Sequence, residues 1–158
     1  MTNFEELLKA LVKNQVQFVL IGGLAAVAHG SALVTNDLDI CYQRSPDNIK
    51  KLVALLKKWK SKLRDVPADL PFTLDEKTFS FGMNFTFETQ LGLLDLMGDI
   101  AGLGTYSEVI KHSEPLDLFG LSIEILSIDG LIKSKQAAGR PKDEFHLKEL
   151  LAIKAMKK

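Results

Sequence analysis

Two aspartates near the start of the sequence, Asp37 and Asp39, are the residues best suited to chemistry. They lie two positions apart in segment 35–40, where polar and apolar residues alternate as in a strand. Side chains alternate faces along a strand, so both carboxylates point the same way. Two such carboxylates repel each other, and Mg²⁺ prefers oxygen ligands of this kind. The pair therefore predicts a divalent-cation site, although a solvated strand end would have the same sequence.

A pair of glycines, Gly22 and Gly23, precedes the aspartates at a position suited to binding phosphate. The apolar run 16–21 predicts a strand, and the small residues 24–28 predict a short helix. Free backbone N–H groups at the start of a helix favour an anion, and glycine lets a phosphate approach the backbone closely. We therefore expect both glycines to contact a phosphate group. An ordinary tight turn is the alternative explanation.

The order and separation of these motifs resemble a known signature. An apolar residue, Gly-Gly, thirteen intervening residues and then Asp-apolar-Asp-apolar is similar to the pattern of the nucleotidyltransferase superfamily, which includes DNA polymerase beta. The resemblance implies transfer of a nucleoside monophosphate from an NTP to a hydroxyl acceptor on a protein, a tRNA or a small molecule. It also implies two Mg²⁺ ions, with Mn²⁺ as an alternative, and a third carboxylate on a neighbouring strand.

Asp95 is the candidate for that third carboxylate. It stands in the middle of the apolar segment 91–97, where an aspartate is costly unless it is paired or binds a metal. We therefore expect Asp95 to be catalytic and to bind metal together with Asp37 and Asp39. The alternatives are that Asp95 ends a strand at the surface or takes a hydrogen bond from a loop, or that Glu88 supplies the third carboxylate.

Basic residues near the carboxyl end form a second informative group. Ser127 would cap a helix whose apolar face continues to Lys135. The Lys135 ammonium would therefore either bind a phosphate in the site or extend along the apolar face to reach solvent. Segment 135–143 resembles a segment of small bacterial nucleotidyltransferase-like proteins. That resemblance, which covers nearly the whole chain, implies that Lys135, Arg140 and Lys142 lie near the triphosphate and that Asp143 orients one of them. An exposed corner between two helices is the alternative.

The sequence departs from these relatives at residues 33 and 34. Many of the relatives carry an arginine before the Thr-x-Asp segment, where this chain has Leu33 and Val34. The departure supports a second hypothesis, a non-catalytic or regulatory protein of this fold, such as a toxin-antitoxin component bound to the product of an adjacent gene. A metal-dependent phosphohydrolase is a third hypothesis.

The remaining patterns predict the elements that position these residues. We expect an α/β (α+β) fold, with a mixed twisted sheet flanked by helices, in a single nucleotidyltransferase-like domain over 1–158. The predicted helices cover 3–14, 46–63, 105–111 and the segment from Ser127 to Gly139, and a last helix begins at Pro141. Thr2 with Glu5 would cap the first of these, and Thr105 with Glu108 would cap the helix over 105–111. The last helix has Leu147, Leu150 and Leu151 on one face. The predicted strands cover 79–88 and 91–97, with an edge hairpin over 115–126, and 64–76 and 98–104 are predicted loops.

Composition limits the function classes. The 158 residues carry 20 basic and 20 acidic side chains, so net charge does not support nucleic-acid binding, although the third helix has a lysine-rich face. The single cysteine, Cys41, suits a reducing compartment. The apolar run 18–28 is too short to span a membrane and no leader opens the sequence, so we expect a cytoplasmic protein. We expect structural roles for His29 and His146.

Overall fold

The computed structural model describes residues 1–67, 69 and 72–157. The helices are α1 Phe4–Lys13, α2 Gly22–Ala28, α3 Pro46–Lys58, α4 Tyr106–Val109, α5 Ile128–Ala138 and α6 Glu144–Met156. The strands are β1 Phe18–Ile21, β2 Asp37–Tyr42, β3 Lys62–Leu63, β4 Phe85–Thr89, β5 Gly92–Met97, β6 Asp99–Ile100, β7 Gly104–Thr105, β8 Ser113–Leu118 and β9 Leu121–Leu126. Short 3₁₀ helices cover Glu76–Phe81, Ile110–His112 and Pro141–Asp143.

Seven strands form one mixed sheet in the order β3-β4-β5-β2-β1-β9-β8. Strand β2 is antiparallel to β1 and parallel to β5, and β1 is parallel to β9. Helix α2 packs against β1 and β2, and α5 packs against α6. The predicted mixed sheet with helices is confirmed. The predicted hairpin is confirmed as β8 and β9, of which only β8 lies at the sheet edge.

The two faces of β2 have different environments. Leu38 and Ile40 are fully buried in the hydrophobic core, whereas Asp37 and Asp39 are only partly buried. Apolar side chains of α1 and α3 belong to the same core. Burial of one face of β2 fixes the register of the strand. It thereby holds both carboxylates on the opposite face.

Side-chain caps define where the helices begin and end. Ser45 and Ser127 accept hydrogen bonds from backbone N–H groups in the first turns of α3 and α5, as predicted. Gly139, at φ +59°, ends α5. The start of α1 was predicted wrongly, because Asn3 is the cap, and the Thr2 hydroxyl instead donates to the backbone oxygen of Asn36.

Several predicted boundaries are wrong for identifiable reasons. Helix α3 ends at Lys58, because Lys60 takes φ +51° before the chain enters β3. The first part of the predicted strand 79–88 is the 3₁₀ helix Glu76–Phe81, whose Asp75 side chain accepts from the Thr78 N–H. Phe81 is consequently 88% exposed.

The segment after β5 also differs from the prediction. Residues 98–104 were predicted as a loop but contribute to the small antiparallel pair β6 and β7. Thr105 precedes α4 without a side-chain capping bond, so the predicted capping box does not form there. In α6, Leu150 is buried but Leu151 is 45% exposed. Part of the predicted loop 64–76 lies outside the described residues.

None of the helices in the described part of the chain combines the length and the apolar character needed to cross a membrane.

Candidate active site

Strand register brings the three predicted aspartates together. Asp39 on β2 lies directly beside Asp95 on β5, and Asp37 lies two residues earlier on the same face. One carboxylate oxygen from each lies within 4.8 Å of the others. Glu88 is exposed on β4 and does not belong to this group. Asp37, Asp39 and Asp95, here termed the carboxylate cluster, form a compact set of hard oxygen ligands that fits a divalent cation.

Crowding perturbs the acidity of the cluster. Burial, a hydrogen bond with Asp95 and the nearby negative charges raise the pKa of Asp39 to about 8. Burial also raises the pKa of Asp95 above its usual range. A cation bound to these oxygens would favour the ionised forms. The raised pKa favours a protonated Asp39 at neutral pH, even though one positive charge already lies beside the cluster.

Arg64 supplies that positive charge, and the sequence analysis missed it. Its Nη2 donates to Oδ1 of Asp95 at 2.5 Å, and its Nη1 lies 3.8 Å from Oδ1 of Asp37. The backbone N–H of Arg64 donates to the Thr86 carbonyl at 2.9 Å. Because Thr86 pairs with Asp95, and Asp95 with Asp39, a row of residues crosses the sheet from Arg64 to the cluster. The alternation of Lys62 and Arg64 was the available signal for a strand here.

The two glycines make room for the strand that carries the aspartates. Gly22 has φ +69°, and a β-carbon added there would overlap the Asp39 carboxylate. A β-carbon on Gly23 would lie 2.8 Å from the Thr35 hydroxyl oxygen. Gly22 lines the cavity above the cluster, but Gly23 does not. Gly22 therefore permits the close approach of α2 to β2, and Gly23 permits its approach to the segment just before β2. Contact of the two glycines with phosphate stays a prediction.

The predicted basic residues form a second set of side chains at the site. Buried Asp143 accepts hydrogen bonds from Lys135 Nζ at 3.0 Å and from Arg140 Nε at 2.6 Å. The hydrogen bond from Arg140, followed by that from Lys135, lowers the pKa of Asp143 below its usual range. Asp143 thus orients both Lys135 and Arg140, whereas the prediction was that it orients one basic side chain. Lys142 is exposed nearby.

One cavity of about 580 Å³ is lined by both sets of side chains. Its lining includes the carboxylate cluster, Gly22, Lys135, Arg140 and Lys142, together with Asp99 and apolar side chains such as Leu126 and Leu131. A cavity of this volume is in the usual range for small-molecule sites. Acidic groups able to hold a cation and basic groups able to bind phosphate therefore face one space.

The histidines lie apart from the cluster. His29 is buried, with Nε2 at 2.9 Å from the Leu126 carbonyl oxygen and Nδ1 at 2.7 Å from Lys157 Nζ. These contacts link α2 to β9 and to the end of α6. His146 lies on α6, and its Nδ1 is buried without a hydrogen-bond partner among the described residues. Structural roles for both stay a prediction.

Comparison with known proteins identifies the fold. No family model matches the sequence, and no curated protein matches it. Among solved structures, the lincosamide antibiotic adenylyltransferase LnuA, determined with lincomycin bound, has a TM-score of 0.64 at 16% identity, over 96% of this chain and 98% of its own. This chain has the nucleotidyltransferase fold. The antibiotic-resistance factor ANT(2'')-Ia shares this fold, with a TM-score of 0.61 at 14% identity, over 97% of this chain and 81% of its own.

Proposed function

We propose that this protein transfers a nucleoside monophosphate from an NTP to a hydroxyl group, with a divalent cation held by the carboxylate cluster. The observation that carries the proposal is the convergence of three aspartates and three basic side chains on one cavity of a nucleotidyltransferase fold. A small-molecule acceptor is favoured over a protein or a tRNA. In support, LnuA was solved with lincomycin and ANT(2'')-Ia with adenylyl-2''-tobramycin.

The donor set favours Mg²⁺, with Mn²⁺ as the alternative. All three groups of the cluster are carboxylates, and hard cations of this kind prefer oxygen ligands. When bound, the cation would lower the pKa of the acceptor hydroxyl and offset charge on the leaving pyrophosphate. Two ions are expected, as in the superfamily that the sequence resembles.

The basic residues would bind and orient the triphosphate. Lys135 and Arg140 are held by Asp143, so little ordering would remain to be done when phosphate binds. Lys142 would add a charge at the edge of the cavity, and the backbone of Gly22 and Gly23 would contact the β and γ phosphates. In the reaction, the acceptor oxygen would form a bond to the α phosphorus. The bond from that phosphorus to pyrophosphate would break, and the hydroxyl proton would be released.

The test is transfer of label from the α phosphate of an NTP to a panel of hydroxyl-bearing antibiotics and tRNA. We expect a labelled acceptor and unlabelled pyrophosphate, and we expect both to be lost in Asp37→Asn and in Asp39→Asn. Asp117→Asn is the matched control, because Asp117 is exposed on the edge strand β8. Release of inorganic phosphate without transfer would favour the phosphohydrolase hypothesis instead.

The regulatory alternative was motivated by the missing arginine at residues 33 and 34. Lys135, Arg140 and Lys142 line the cavity, and Arg64 contacts the cluster. The site therefore carries ample positive charge without that arginine. A complex with an adjacent gene product that persists in Asp37→Asn would nevertheless favour the alternative.

A further inference from the structure

Arg64 contacts two of the three members of the carboxylate cluster. Its side chain is 17% exposed and bonds Oδ1 of Asp95, and it also approaches Asp37. Its Nε also lies 3.9 Å from Oδ2 of Asp65, whose side chain is 89% exposed. The guanidinium therefore makes its strongest contact with an oxygen that a divalent cation would also need.

The backbone of Arg64 is fixed while its side chain has torsional freedom. The hydrogen bond from the backbone N–H of Arg64 to the Thr86 carbonyl holds Arg64 at the end of β3. Rotation about the side-chain torsions would move the guanidinium away from the cluster without moving the backbone. Planar guanidinium groups bind phosphate oxygens as readily as carboxylate oxygens. Arg64 is not among the residues that line the cavity, but Asp37 and Asp95, which it contacts, are. A triphosphate bound through a cation at the cluster would therefore offer Arg64 a second set of partners.

Charge makes the two cations competitors. A divalent cation bound to the cluster would lie close to a guanidinium that contacts two of its three members, and like charges at such distances repel strongly. Removal of Arg64 should therefore strengthen the binding of a free divalent cation.

We propose that Arg64 is an internal counter-ion, which keeps free Mg²⁺ from filling the cluster and moves to the phosphates when Mg²⁺ arrives with NTP. Arg64 is then a positioning residue that couples cation binding to nucleotide binding. The proposal rests on the proposed function, since it assumes that the cluster binds Mg²⁺ and that the cavity binds NTP.

The test compares Mg²⁺ alone with Mg²⁺ plus a non-hydrolysable NTP by isothermal titration calorimetry. Arg64→Gln should bind Mg²⁺ alone roughly tenfold more tightly than wild type, and the Mg²⁺–nucleotide complex roughly tenfold more weakly. Arg64→Lys keeps one positive charge but cannot span Asp37 and Asp95, so its affinity for Mg²⁺ should be intermediate. Lys62→Gln is the matched control, because Lys62 is an exposed cation two residues earlier, and it should change neither affinity.

Unchanged or weaker binding of Mg²⁺ alone by the Arg64 variants would overturn the inference while leaving the proposed function intact. If Arg64→Gln does not fold, Arg64→Lys provides the test, and it should bind Mg²⁺ alone more tightly than the wild type does. Wild-type protein that binds neither Mg²⁺ nor its nucleotide complex would overturn the proposed function, and this inference with it.

Discussion

Asp39→Asn should make the protein more stable when no divalent cation is present, although it removes a residue of the proposed active site. One carboxylate oxygen from each member of the cluster lies within 4.8 Å of the others. At an effective dielectric constant of about 20, each pair of ionised carboxylates at that distance costs about 3.5 kcal/mol. Loss of the Asp39 charge removes two such pairs and also one attraction to Arg64. After allowance for solvent screening, we expect a gain of about 1–3 kcal/mol in the free energy of unfolding.

The gain should depend on pH with a definite sign. The pKa of Asp39 is raised to about 8 in the folded protein, against about 4 for an unfolded chain. Between those values the folded protein binds a proton that the unfolded chain does not, so the stability of the wild type falls as pH rises. Asp39→Asn lacks this titration. Its advantage over the wild type should therefore appear above about pH 4, be about half complete at pH 6 and reach its full value above pH 8.

Urea unfolding in EDTA at several pH values measures both effects. Asp117→Asn serves as the control, because it removes an exposed carboxylate from the edge strand β8. Addition of Mg²⁺ should reverse the order, since binding to the folded wild type stabilises it. A variant that is less stable than the wild type at pH 8.5 in EDTA, or whose advantage is the same at pH 6, would refute this account of the cluster.

Three further predictions concern the residues around the cluster. Gly22→Ala should lower the free energy of unfolding in urea by roughly 1–3 kcal/mol more than Gly120→Ala does. Both glycines have positive φ, but only a β-carbon at Gly22 would clash, with the Asp39 side chain. Equal losses in the two variants would contradict this. Asp143→Asn should cost roughly 1.5–3 kcal/mol and weaken NTP binding, whereas Asp129→Asn, which breaks an exposed ion pair, should do neither. Because its pKa is lowered, the contribution of Asp143 to stability should disappear as pH falls below about 4. Burial raises the pKa of the Cys41 thiol to about 12, so a thiol reagent at pH 8 should label it only in urea, and rapid labelling of folded protein would contradict that.

Local sequence patterns predicted the three aspartates of the site. In β2 the same alternation of apolar and acidic residues both packs the strand against the core and places the carboxylates on one face. Leu38 and Ile40 alternate with the two aspartates and bury one face of β2, which leaves the carboxylates on the other. Asp95 was identifiable because a lone acid in an apolar run needs a partner. The basic residues at the end of α5 followed from the apolar stripe and from a resemblance in sequence.

The parts that sequence did not predict depend on pairing between distant segments. Arg64 reaches the cluster only because its backbone bonds Thr86, which pairs with Asp95. No periodicity within a two-residue strand shows that arrangement. Thr2 was assigned to a helix cap, but its hydroxyl bonds Asn36 from a distant part of the chain. Alternating phenylalanines suggested a strand where the capping bond of Asp75 starts a 3₁₀ helix instead.

The most direct test of the central claim is isothermal titration of the wild type with each non-hydrolysable NTP, with and without Mg²⁺, beside the double variant Asp37→Asn/Asp39→Asn. We expect binding that requires Mg²⁺ and is lost in the double variant. Equal binding by wild type and double variant, or no binding of any NTP by the wild type, would contradict the assignment of the carboxylate cluster as a cation-dependent nucleotide site.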